Sequence, residues 1–259
     1  DEHPGQRQLG DIDLLVRAED VEPAAETLRE LGYRAEHNGF NRRKPYSSFL
    51  NSMVFRKQDT ARFFIHLHWH LLNTSMPLFM FSVDMTGIWQ AARVRRQRHY
   101  DVIAMAPYHE LVYLCMHAFC HAYDRPRLLE DIAWFINARA RELDWNAVLV
   151  TVHDWNARLP AYCSLKLTGA GVPAYILNAL QPCPMPHALS PFLDSVTDRS
   201  VTYRSTIPLF LHMCATPFEK LRFLWQSLLP PPAVMRQLYA VRGWRITAMY
   251  MKRLARLLH

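Results

Sequence analysis

The stretch that most constrains the fold is residues 63–71, where Ile65, Leu67, Trp69 and Leu71 alternate with His66, His68 and His70. A period of two sends the apolar side chains to one face and the imidazoles to the other. That is the pattern of a half-buried strand, so this part of the chain belongs to a sheet with one core face and one polar face.

A second strand is expected at 12–16, inside Gly10-Asp11-Ile12-Asp13-Leu14-Leu15-Val16. Residues two apart on a strand share a face, so Asp11 and Asp13 project together while Ile12, Leu14 and Val16 anchor the strand in the core. Asp20 then stands as an N-cap with Pro23 in the first turn. Ala24, Ala25, Leu28 and Leu31 recur at helical spacing, and Gly32 ends the helix. Short strands follow at 33–36, 49–56 and 102–105, with a polar, basic loop at 38–48.

From Pro107 the pattern changes to helices, at 107–121, 127–141 and 145–156, and helical periods broken by proline continue to the end. Residues 1–106 therefore read as a small α/β domain and residues 107–259 as a helical domain with a basic C-terminal tail. The chain opens without Met and enters the Asp-x-Asp strand almost at once, which reads as a trimmed start.

Thirty Lys and Arg against 23 Asp and Glu give a net charge of +7, a mild excess suited to a polyanionic partner. The five cysteines form no CxxC pair and their number is odd, which fits a reduced, cytoplasmic setting better than a disulfide framework. No run reaches the roughly 18 apolar residues that a membrane span needs.

Paired carboxylates on one strand face are what nucleotidyl transfer requires. The reaction needs divalent metal to neutralise a triphosphate, and two-metal sites hold their ions about 3.5–4 Å apart with clustered carboxylates. The stretch His3-Pro4-Gly5-x-Arg7 with Asp11-Ile12-Asp13-Leu14-Leu15-Val16 resembles the uncharacterised nucleotidyltransferase family of the polymerase-β-type superfamily. So do Ile65-His66-Leu67-His68-Trp69-His70-Leu71, His117-x-x-x-His121 with Arg127-Leu128-Leu129-x-Asp131-Ile132, and the later Leu229-Pro230-Pro231, Met235-Arg236 and Tyr239.

The resemblance implies an α+β fold: a nucleotidyltransferase-like mixed sheet with flanking helices, truncated at its start, followed by a helical domain. It implies a metal-dependent enzyme that moves a nucleotidyl group from an NTP to an acceptor, which is a small molecule, a protein or a nucleic acid. Asp11, Asp13 and His66 would hold Mg²⁺ or Mn²⁺. Arg7, His68, His117, His121 and Arg127 would face substrate.

Two departures matter. The superfamily's Gly-Ser phosphate-gripping element would fall upstream of residue 1. The family's third carboxylate, two residues before the His-Trp pair, is replaced by His66, and imidazole lacks the charge that a hard, oxygen-seeking ion prefers. The alternative is a catalytically reduced module that binds nucleotide or protein.

His117 and His121 share a helical face with Glu110, and the apolar side with Leu111, Cys115 and Ala118 lies elsewhere. Zinc binding, substrate contact and polar packing all remain open for these histidines. Arg127 and Asp131, one turn apart, suit either an ion pair or a phosphate contact. The clusters Arg42-Arg43-Lys44 and Arg93, Arg95, Arg96, Arg98 could steer an anion or be solvated. The tail from Val234 either docks through Leu254, Leu257 and Leu258 or makes peripheral contact with an anionic membrane.

Overall fold

The computed structural model describes residues 11–36, 40, 43, 51–57, 64–73, 78–97, 100–169, 171–232, 234–235 and 245–258. By its contacts the chain divides into two compact units, residues 1–78 with 224–259, and residues 79–223.

The first unit holds a four-stranded sheet. Its strands are β1 (Asp11–Leu15), β2 (Arg34–Ala35), β3 (Ser52–Arg56) and β4 (Phe64–His68), in the spatial order β1-β4-β3-β2. β1 runs parallel to β4, while β3 is antiparallel to both β4 and β2. The sheet is therefore mixed, as the family resemblance implies. Helix α1 (Val21–Glu30) lies in the crossover that a parallel pair requires. It ends at Gly32, whose φ of +87° is the left-handed conformation that glycine adopts without a Cβ clash.

The sheet register explains the two faces. Ile65 lies beside Ile12 and Phe55, and Leu67 beside Leu14 and Met53. Val21, Ala25 and Leu28 of α1 form one buried cluster with Met53, Phe55, Ile65, Leu67 and Trp69. A one-residue slip of β4 would send its imidazoles into that cluster, so the alternation fixes the register.

Two expectations need correction here. Ile12 and Leu14 are not core anchors: they stay 45% and 40% exposed, because β1 is an edge strand and the cluster under α1 centres on β3 and β4. His70 does not line the strand face, because β4 ends at His68. Instead His70 is buried in the following bend, where the Leu72 amide donates to its Nδ1 at 2.9 Å. Burial pushes its pKa down to about 4. Asn51 ties the same bend down, donating from Nδ2 to the Leu72 carbonyl at 2.9 Å and accepting from the Trp69 amide at 3.0 Å.

The second unit begins with α2 (Met85–Ala91) and a hairpin, β5 (Arg93–Gln97) with β6 (Tyr100–Ala104). The arginine run at 93–96 is thus a strand of its own. Helices then follow: α3 (Pro107–Cys120), α4 (Arg127–Ala138), α5 (Trp145–Asp154), α6 (Arg158–Thr168), α7 (Ala174–Leu180), α8 (Leu189–Thr197) and α9 (Tyr203–Met213). The first three match the sequence expectation to within three residues at each end.

Helix α3 is the axis of this unit and packs on α4, α5 and α6. Its Leu111, Cys115, Ala118 and Phe119 are fully buried. Phe119 meets the rings of Phe192 and Phe210 edge-on, with centroids 6.1 and 5.2 Å away. Ser164 of α6 donates to the Cys115 carbonyl at 3.0 Å.

Helix α10 (Pro217–Leu228) spans the division between the units, and α11 (Arg245–Leu258) forms the basic tail. The side chains of 253–258, with the expected docking stripe, lie outside the described residues. Among the described residues no helix is long and apolar enough to cross a membrane.

Candidate metal centre

The polar face of the first sheet is set by the parallel pairing of β1 and β4. That register places Asp13 beside His66 and Leu15 beside His68, so Asp13 faces two imidazoles at once. Asp13 Oδ1 lies 3.1 Å from His68 Nε2 and 3.5 Å from His66 Nδ1. One ligand-type atom from each of the three residues falls within 4.8 Å of the others. Among the described residues this is the one His/Cys/Asp/Glu group so arranged.

The electrostatics suit a cation. Partial burial lowers the pKa of His66, with His68 and Arg56 adding to the effect and the carboxylates of Asp13 and Asp11 opposing it. A neutral imidazole offers its lone pair to a metal. Asp13, with its side chain 60% exposed, opens the group to solvent, while the imidazoles behind it are 24% and 14% exposed.

Asp11 is exposed at the head of β1, on the face of Asp13 and near enough to act on His66 through space. It contributes no atom to the three-residue group. His68, which the resemblance gives to substrate, contributes one. The clue was its i, i+2 spacing from His66; which imidazoles meet which carboxylate depends on strand register, which no local pattern carries.

The other expected residues lie elsewhere. Arg7 is outside the described residues. His117 and His121 belong to the second unit, at the C-terminal end of α3, with ring centroids 4.5 Å apart. Burial lowers the pKa of His121. Glu110, on the same stripe, is half-buried, and its pKa is raised by that burial. Arg127 opens α4 and is exposed, one turn before the half-buried Asp131.

A mixed sheet joined in sequence to a helical region is consistent with the architecture of a nucleotidyltransferase-like protein. The family described as uncharacterised nucleotidyltransferase matches residues 2–171, and the chain belongs to it. No curated protein and no solved structure matches the chain.

The three side chains fit a divalent ion. One carboxylate and two imidazoles form a mixed oxygen and nitrogen set, better matched to Mn²⁺ or a later transition ion than to Mg²⁺, which favours oxygen ligands.

Proposed function

We propose that this protein is a metal-dependent nucleotidyltransferase that uses an NTP and holds a divalent ion, preferably Mn²⁺, through Asp13, His66 and His68. The observation that carries this reading is the convergence of those three side chains on the polar face of β1 and β4, within a chain of this family.

When bound, the ion would neutralise triphosphate charge and polarise the reacting phosphoryl group. The chain's own residues do the rest. Asp13 supplies the negative charge of the set. His66 and His68 offer ring nitrogens from a half-buried depth. Asp11, solvent-exposed on the same face, is placed to take part once substrate brings a second ion. Arg7, His117, His121 and Arg127 are the proposed substrate contacts. The acceptor is a small molecule, a protein or a nucleic acid. A cytoplasmic setting belongs to the same reading, supported by five free thiols, four of them buried.

Calorimetric titration of ATP and of CTP with Mn²⁺ tests the reading. Metal-dependent binding is expected in the wild type and lost in Asp13→Asn. Equal binding in both, or none in the folded wild type, would overturn it.

A second reading rests on His66, which stands where the family places a carboxylate. It makes the protein a catalytically reduced module that binds nucleotide or protein. Under it, His66→Asp creates metal-dependent transfer absent from the wild type; strong transfer by the wild type would remove it.

A further inference from the structure

The second unit contains an open cleft of about 620 Å³ whose lining includes four arginines. Arg93, Arg95 and Arg96 reach it from β5, and Arg139 from the turn after α4. Its carboxylate is Glu142. Tyr108 and the apolar groups of Val94, Met105 and Pro107 complete the walls.

The charges in this cleft are organised rather than cancelled. Glu142 accepts from Arg95 at 2.5 Å and from Arg139 at 3.1 Å, and the two arginine side chains are only 25% and 22% exposed. A guanidinium has five N–H donors, so a shared carboxylate orients both planes and still leaves donors over. Arg93 bonds the carbonyls of Gln90 and Ala92, partners that carry no charge. Arg96 pairs with Asp101 at 3.2 Å but remains 71% exposed. Glu110, the other carboxylate near Arg95, lies outside the lining.

Four guanidiniums against Glu142 and the Asp101 that pairs with Arg96 still leave an excess of positive charge in a volume fit for a small metabolite. A dianion spanning two guanidiniums matches that excess, while Tyr108 and the apolar wall suit an uncharged remainder such as a sugar ring. We propose that this cleft is a binding site for a small phosphomonoester, held by Arg93, Arg95, Arg96 and Arg139 and independent of the metal centre.

The test is calorimetric titration of the full chain with ribose 5-phosphate in EDTA, with ribose and gluconate as the phosphate-free and carboxylate controls. Ribose 5-phosphate should bind, gluconate at least tenfold more weakly, and ribose not at all. Arg93→Ala/Arg96→Ala, which removes the two exposed cations and keeps the Glu142 network, should lower affinity at least tenfold without moving the melting temperature. Asp13→Asn should bind as the wild type does. Absence of ribose 5-phosphate binding, equal binding of either control, an unchanged double variant, or loss of binding in Asp13→Asn would each overturn the proposal.

Discussion

Asp13 and His68 meet diagonally across the parallel ladder of β1 and β4, carboxylate to imidazole at 3.1 Å, with His66 on the same carboxylate oxygen at 3.5 Å. A divalent ion held by this group would draw on the same carboxylate oxygen and ring nitrogens that meet there.

Removing that carboxylate should separate the two aspartates. Asp13→Asn is expected to weaken Mn²⁺ binding by about a hundredfold or more, since even outer partners of a metal site are worth about 10–100-fold. Asp11→Asn should leave the first ion's affinity within about threefold, because Asp11 gives no atom to the cluster. Both side chains are exposed, so thermal stability should hold to within about 0.5 kcal/mol. Mn²⁺ titration followed by electron paramagnetic resonance reads both affinities. Equal losses in the two variants would contradict this division.

Converting His66 to Asp should change which ion is preferred. A second carboxylate adds hard oxygen and negative charge, so Mg²⁺ affinity rises relative to Mn²⁺. Competition of the two ions in His66→Asp and wild type gives the ratio directly. An unchanged ratio would mean that His66 does not touch the ion.

Acid should destabilise the second unit through His109. This side chain is buried and stacks on Trp155 at 5.2 Å, with Nδ1 unpartnered. Burial lowers its pKa, against an opposing pull from Asp84. The unfolded chain then binds the proton more tightly than the folded one. The contribution is complete above the unfolded value near 6.5 and declines as pH falls through 6.5 toward the folded value. Glu110, whose pKa is raised, works in the opposite sense above its ordinary value. His109→Phe keeps a stacking ring and removes the titration. Urea melts between pH 7 and pH 5 should lose stability less steeply in that variant than in the wild type.

Two aromatic truncations should differ sharply. Phe119 is fully buried among Tyr123, Phe192 and Phe210, so Phe119→Ala is expected to cost about 3–5 kcal/mol. Trp134 is 69% exposed on α4, and Trp134→Ala should stay within about 0.5 kcal/mol. Denaturant melts of the two variants check the contrast.

Where the sequence could be read, the reason is physical. β4 announces itself because one face is core and the other is not, and α3 because its stripe repeats every three to four residues. β5 carries no such signal. Its arginines line an open cleft and Val94 stays 69% exposed, so no buried face imposes a hydrophobic period. Ile12 and Leu14 mislead for the opposite reason: they are apolar, yet they sit on an edge strand beyond the reach of α1. The shared face of Asp11 and Asp13 follows from spacing alone. That Asp13 rather than Asp11 meets the imidazoles follows from the register with β4, a long-range property absent from either segment by itself.

The parallel ladder has a consequence for the order of events in synthesis. Asp13 and His68 are separated by 55 positions along the chain, and β3, which β4 also pairs with, is made between them. A ribosome has therefore released β1, α1, β2 and β3 before the second imidazole emerges. Until then the nascent chain holds the carboxylates of Asp11 and Asp13 without their imidazoles. Under the proposed function, metal capture would wait on completion of β4, so an ion bound at this position would report that the first sheet has closed.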